Sequence, residues 1–263
     1  MDNTNAIGIF DSGVGGTSIW KEIYSLLPLE NTIYLSDSKN APYGEKSKDK
    51  IRELCIKNTE FLLKKNCKII VVACNTATTN AISFLRENYN IPFIGIEPAI
   101  KPASLQTRTK KIGILATKGT LTSDLFADTS KKINQEIEIV NQVGEGLVEL
   151  IEDEKINSKE MTRLLKFHLS KLMTKNIDCL VLGCTHYPYL IPQIKELIGN
   201  KIQIIDSGQA VAKQTKVILT QNNILNNNIE NSTHQFYINK NKKVLTSLLL
   251  EYQQKIKIDE LNF

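Results

Sequence analysis

Short apolar runs of strand length recur along the chain and alternate with longer segments of helical period. Ala6–Phe10, Thr32–Leu35, Lys68–Ala73, Pro92–Ile96, Lys111–Ala116, Glu136–Val140, Cys179–Gly183 and Gln203–Ile205 are the predicted strands. Helical patterns fill most of the intervals. Ser47–Lys65 places Ile51, Leu54, Cys55, Phe61 and Leu62 on one broad face, which predicts an amphipathic helix crossing between two strands. The alternation predicts an α/β fold with mainly parallel sheets. The Asn-rich stretch from Asn222 to Asn231 reads as a loop, and the helical pattern after Lys240 suggests packing back onto the first part of the chain. Residues from about Gln221 to Phe263 carry no pattern that speaks of chemistry.

Parallel α/β sheets bind ligands in the crevice outside the carboxyl ends of their strands, so the residues that follow each run carry the functional information. Asp11-Ser12-Gly13-Val14-Gly15-Gly16-Thr17 follows the first run, Cys74-Asn75-Thr76-Ala77-Thr78 the third, Cys184-Thr185-His186-Tyr187-Pro188 the seventh and Asp206-Ser207-Gly208 the eighth. A faint internal repeat lays Ile7-Gly8-Ile9-Phe10 on Ile112-Gly113-Ile114-Leu115. Ile70-Val71-Val72-Ala73-Cys74 falls in the same way on Leu180-Val181-Leu182-Gly183-Cys184. Two α/β units facing each other across a cleft would therefore bring Cys74 and Cys184 to a ligand from opposite sides.

Composition narrows the field. The charge of +5, from 33 basic and 28 acidic residues, is spread along the chain without a long basic block, so nucleic acid is not an expected partner. No segment approaches the roughly 18 consecutive apolar residues of a membrane helix, and the N-terminus is polar without a cationic stretch; no membrane partner is expected, and the cytoplasm is the expected location. Five cysteines without C-x-x-C spacing argue for reduced thiols rather than a disulfide framework or structural zinc.

Two facing thiols suit one reaction class in particular. Inverting a carbon stereocentre without a cofactor requires a base on one face and an acid on the other. A free thiol has a pKa of about 8.5, so one cysteine can stand as thiolate while its partner stays protonated. Because a carbon-bound α-proton is a far weaker acid, backbone N–H groups and hydroxyls must stabilise the carbanion as it forms. The glycine loop at 13–16, with Ser12, Asn75, Thr76 and Thr185, supplies such donors. That loop lacks the Lys-Ser/Thr ending of a P-loop and the G-x-G-x-x-G spacing of a dinucleotide site, so nucleotide binding is rejected.

Five motifs in sequence order resemble the glutamate racemase family: Phe10-Asp11-Ser12-Gly13-Val14-Gly15-Gly16, Ala41-Pro42-Tyr43-Gly44, Val72-Ala73-Cys74-Asn75-Thr76-Ala77-Thr78, Leu182-Gly183-Cys184-Thr185-His186-Tyr187-Pro188 and Ile205-Asp206-Ser207-Gly208. The resemblance runs from Gly8 to about Ala212. It implies two pseudo-symmetric three-layer α/β domains with the active site between them, the first built from residues 1–97 plus 208–263 and the second from 98–207. It implies interconversion of L- and D-glutamate without metal or pyridoxal phosphate, the D-isomer feeding peptidoglycan synthesis. Cys74 and Cys184 would then be the acid/base thiols, assisted by Asp11 and His186. Asp11, Ser12, Tyr43, Gly44, Asn75, Thr76, Thr185 and His186 would bind substrate. Val148-Glu149-Leu150-Ile151-Glu152 resembles the family segment ending in an acidic residue near the second cysteine, which makes Glu152 a candidate helper. The chain departs from many members in carrying Gly144-Glu145 where they have Cys-Pro. Whether it acts alone or as a homodimer is left open.

Other readings compete. Cys55, Cys67 and Cys179 read as packing residues, and His168 and His234 as surface or structural ones. Asp11 is also placed to cap the helix beginning near Gly16, and Asp206-Ser207 the helix that follows them. An aspartate or hydantoin racemase or a decarboxylase needs only small changes around the same cleft. A two-lobed binding protein would use the cysteines for packing alone, and a Cys–His hydrolase would need only Cys184 and His186.

Overall fold

The computed structural model describes residues 2–133, 135–228 and 232–263. Among these the strands are β1 (Ile7–Asp11), β2 (Thr32–Ser36), β3 (Ile69–Val72), β4 (Phe93–Gly95), β5 (Lys111–Ala116), β6 (Glu138–Val143), β7 (Cys179–Gly183), β8 (Gln203–Ile205), β9 (His234–Ile238) and β10 (Ile256–Glu260). Helices α1 (Thr17–Leu26), α2 (Lys48–Lys64), α3 (Asn75–Asn88), α4 (Ile100–Gln106), α5 (Lys118–Leu121) and α6 (Asp124–Lys131) precede the middle of the chain. Later come α7 (Leu147–Glu152), α8 (Lys159–Met173), α9 (Ile191–Ile198), α10 (Gly208–Gln221) and α11 (Lys242–Leu248).

The strands form two all-parallel sheets, ordered β10-β9-β2-β1-β3-β4 and β6-β5-β7-β8. The order β2-β1-β3-β4 of the first is the order β6-β5-β7-β8 of the second. Register matches as well: Gly8 lies opposite Ile70 in one sheet, and Gly113 opposite Leu180 in the other. The weak sequence repeat is therefore a repeat of place in the fold. Both glycines make room for equivalent neighbours. A Cβ on Gly8 would press on Leu62 and Cys67, and one on Gly113 would press on Leu172 and Ile177.

Strands buried on both faces explain the continuous apolar runs. In the first sheet Ile7, Ile9 and Val71 face α1 and α10, while Phe10, Ile70 and Val72 face α2 and α3. In the second, Leu180 and Leu182 face α7, α8 and α9, and Ile112, Ile114 and Val181 join residues of α4 and α6. Each sheet is thus the middle of three layers. Side chains of both sheets, among them Ile9 and Leu182, belong to one connected core. Helix α2 begins as expected, with the Ser47 side chain accepting the Lys50 N–H.

Three expectations are corrected. The strand placed at Glu136–Val140 runs instead over Glu138–Val143, because an edge strand with an exposed pattern tolerates Asn141 and Gln142. After Lys240, Lys242–Leu248 is an α-helix, Leu250–Tyr252 a short 3-10 turn and Ile256–Glu260 a strand; β9 and β10 extend the first sheet beyond β2. Ser207 does not cap α10 with its side chain, which donates to the Glu97 carbonyl; Asp206 Oδ1 accepts the Gly208 N–H instead (2.8 Å). Asn222 to Asn228 form no helix or strand, and residues 229–231 of the expected loop lie outside the described residues. Among the described residues no helix is long and apolar enough to cross a membrane.

At the amino end of β3, Lys68 and Glu30 make a buried ion pair (2.6 Å). Lys68 also donates to the Asn3 carbonyl, and Glu30 accepts the Asn226 N–H (2.8 Å), so the pair joins four separate stretches of chain.

The shared role of the two glycines is open to measurement. Gly113→Ala drives a methyl into Ile177 and is expected to cost about 1–3 kcal/mol in urea unfolding, as overpacking does. Gly8→Ala is expected to fall in the same range, because its neighbours stand in equivalent places.

Candidate active site

The carboxyl ends of β1, β3 and β7 converge. Asp11 is the last residue of β1, Cys74 follows β3 directly before α3, and Cys184 follows β7. In each sheet the cysteine thus lies beside the switch in strand order, where open α/β sheets place their ligands. All five cysteines are free thiols. Cys74 and Cys184 line one enclosed hollow, shared with Ser12, Tyr43, Gly44, Asn75, Thr76, Thr185 and His186. Its cavity volume is ≈ 10 Å³, room for about one water molecule. A wider outer hollow of ≈ 640 Å³ adjoins it through Pro42, Gly44, Thr117 and Val148.

Cys74 occupies the N-cap of α3, a position that favours Ser, Thr, Asp or Asn, and its sulfur accepts the Ala77 N–H (3.4 Å). It also hydrogen-bonds Ser12 Oγ (3.5 Å). Burial and then the neighbouring Asp11 carboxyl push the Cys74 thiol well above its ordinary pKa, against the pull of those two hydrogen bonds. Cys184 has a different partner: His186 Nδ1 lies 3.8 Å from its sulfur. The other ring nitrogen, Nε2, donates to Glu152 Oε1 (2.7 Å). Burial alone would lower the imidazole pKa, but its bonds with Cys184 and Glu152 overcome this and hold it well above the usual histidine range.

Glu152, the last residue of α7, reaches across to the first sheet's loops. Its Oε1 accepts the Val14 N–H (2.7 Å), and its Oε2 accepts Ser38 Oγ (2.7 Å). Gly13 and Gly15 are required by this approach: a Cβ on the first would strike Glu152 and on the second His186. Asp11 fastens the rest of the loop, accepting the Gly16 N–H (2.8 Å) and the Gly13 N–H (3.3 Å). The helix-capping and the site readings of Asp11 therefore coexist. Its Oδ1 also accepts Thr185 Oγ1 from the second sheet (3.5 Å).

Further bonds join the halves across the hollow. Thr76 Oγ1 meets Thr117 Oγ1 (2.7 Å) and Thr120 Oγ1 (3.2 Å), and Ser18 Oγ donates to the Thr185 carbonyl (2.9 Å). Among the expected site residues, Asp11 and Glu152 stand behind the lining, bonded to residues that form it. Tyr43 lines the hollow, but its hydroxyl is turned away, donating to Asp37 Oδ2 (2.5 Å) and accepting from Asn58 (3.2 Å). Asn75 is the opposite case: its side-chain amide is buried in the lining with neither Oδ1 nor Nδ2 hydrogen-bonded. Sequence reasoning missed Asp37, Ser38, Thr117 and Thr120. Thr117 directly follows β5, so the rule that selected Asp11 also reaches it. The packing readings of Cys55, Cys67 and Cys179 agree with their burial in apolar clusters. His168 and His234 lie in separate networks, with Gln142 and the Glu145 carbonyl and with Thr32 and Ser232 respectively.

The family model described as Asp/Glu/hydantoin racemase matches residues 20–215. A glutamate racemase of Ectopseudomonas mendocina is 44% identical over 220 residues, 83% of this chain and 84% of that protein. A crystal structure of a glutamate racemase isoform from Bacillus anthracis superposes with a TM-score of 0.88 at 31% identity, covering 99% of this chain and 98% of that one. The glutamate racemase of Francisella tularensis, solved in complex with D-glutamate, gives a TM-score of 0.85 at 30% identity, with coverage of 99% and 98%.

Burial raises the Asp11 carboxyl to about 6, although His186 and the Gly16 N–H pull it down. The native state therefore holds this proton more tightly than the unfolded chain does. The stability that the proton contributes is full below pH ~4 and is lost as pH rises through ~6, a change of about 3 kcal/mol. Urea unfolding from pH 4 to 7 is expected to show that decline, and Asp11→Asn to flatten it.

Proposed function

Because the chain belongs to the Asp/Glu/hydantoin racemase family and its two half-sites each present a thiol to one hollow, we propose that it interconverts L- and D-glutamate by two-cysteine proton transfer. The observation that carries this reading is the pairing of Cys74 and Cys184, on equivalent strand ends of opposed sheets, around the unpartnered amide of Asn75. An α-amino acid meets both needs of that amide: its ammonium donates to Oδ1 and its carboxylate accepts from Nδ2. The amino end of α3 and the hydroxyls of Ser12, Thr76 and Thr185 offer further donors to carboxylates. Glutamate as substrate is supported by the relatives, including the Francisella protein that holds the D-isomer.

The reaction needs no external electron acceptor. One thiolate takes the α-proton, leaving the electron pair on the α-carbon, and the opposite thiol returns a proton to the other face. The two sulfurs exchange protonation states and reset for the reverse direction. Asp11 lies on the Cys74 side and is linked to that thiol through Ser12, whose hydroxyl accepts from Cys74 (3.5 Å) and donates to Asp11 Oδ1 (3.5 Å). On the Cys184 side, the imidazolium of His186, backed by Glu152, supplies a counter-charge. No metal or organic cofactor is required by this sequence of steps.

Residues 1–97 plus 208–263 and residues 98–207 form the two domains in this reading, each carrying one of the parallel sheets. The inner hollow is too small for glutamate, so the domains part to admit it by way of the outer hollow and close to exclude water. The D-glutamate formed in the cytoplasm supplies peptidoglycan assembly.

Incubation of metal-free, reduced protein with L-glutamate in D₂O is expected to bring optical rotation to zero with deuterium at the α-carbon. Cys74→Ser and Cys184→Ser are each expected to lose at least about 10²-fold in kcat, the contribution of a positioned acid or base. Absence of both rotation change and exchange with the wild-type protein would overturn the reading. Activity retained in Cys74→Ser, with an acyl intermediate on Cys184, would favour the hydrolase.

A further inference from the structure

We propose that Asp37 is a positioning residue for this site: its buried carboxylate holds the Tyr43 hydroxyl from one side and Asn239, just after β9, from the other, setting the Tyr43–Gly44 wall beside Cys74. Asp37 follows β2 and is fully buried. Tyr43 donates to its Oδ2 (2.5 Å); Asn239 Nδ2 (2.5 Å), Asn40 Nδ2 (2.9 Å) and Lys57 Nζ (3.2 Å) donate to its Oδ1. Its own N–H donates to the Asp11 carbonyl (3.1 Å), which ties this hub to the end of β1.

The chemistry requires a carboxylate here. Four donors from four separate places converge on two oxygens, and one of them is a cation. An ionised carboxylate is acceptor-only, with about four lone-pair sites. An asparagine would turn an NH₂ group toward donors. Because the Tyr43 hydroxyl donates to Asp37 and accepts from Asn58, its proton is already committed. Tyr43 therefore anchors the wall and does not supply its hydroxyl proton to substrate. The wall has little slack, since a Cβ on Gly44 would press on Thr117. Asn239 also holds the segment leading to that wall, its Oδ1 accepting the Lys39 N–H (2.8 Å).

This inference deepens the racemase reading and rests on it for its kinetic arm alone. The primary test is the rate at which iodoacetamide alkylates Cys74 in the native protein, followed by peptide mass spectrometry. Asp37→Asn and Tyr43→Phe are each expected to speed that alkylation roughly fivefold, the scale of one buried hydrogen bond, with the double variant no faster than either. KM for glutamate is expected to rise in both more than kcat falls. Lys68→Met, which breaks the ion pair at the far end of β3, lowers stability without touching the wall and is expected to alkylate like wild type. Unchanged Cys74 reactivity in Tyr43→Phe, the variant least disturbing to folding, or equal acceleration in Lys68→Met, would overturn the proposal. If the wild type fails to racemise glutamate while the alkylation pattern holds, the substrate reading falls and Asp37 keeps its role.

Discussion

One carboxylate joins the two halves of this molecule at the place where they must work together. Glu152 leaves the end of α7, takes the Val14 N–H and the Ser38 hydroxyl from loops of the first sheet, and takes the His186 imidazole from its own side. Through these bonds it sets the height of the glycine loop, the orientation of the imidazole and thereby the surroundings of Cys184. Gly13 and Gly15 follow as necessities, because any side chain there would occupy the space through which Glu152 and His186 approach. These hydrogen bonds lie beside the apolar core that the two sheets share.

The pseudo-symmetry of the sheets does not extend to the electrostatics. Cys74 faces a buried carboxyl and the amino end of α3, whereas Cys184 faces an imidazolium. The backbone supplies two equivalent stations at matching register, and the loops then make them chemically distinct. A reaction whose substrates are mirror images needs stations on both sides, but nothing requires the two to be held in readiness by the same groups.

The positions of the central strands and the two thiols were legible in the sequence because buried parallel strands leave continuous apolar runs and their ends collect small polar residues. The edges were not. His234–Ile238 and Ile256–Glu260 lack such runs, since β10 borders solvent and alternates charged with apolar residues, as edge strands do. Glu152 and His186 were found through the motifs they resemble, but the bond between them belongs to the tertiary fold. Asp37 directly follows β2 and so lay within reach of the strand-end rule, but its partners stand at positions 40, 43, 57 and 239, and no local spacing connects them.

The place of β9 and β10 bears on how the protein is made. They follow both cysteines in the chain, yet β9 covers the open edge of β2 and carries Asn239 to the Asp37 hub. A nascent chain that already contains both cysteines still presents an unpaired strand edge and an unfinished wall around Cys74. Completion of the sheet and completion of the site are therefore the same event.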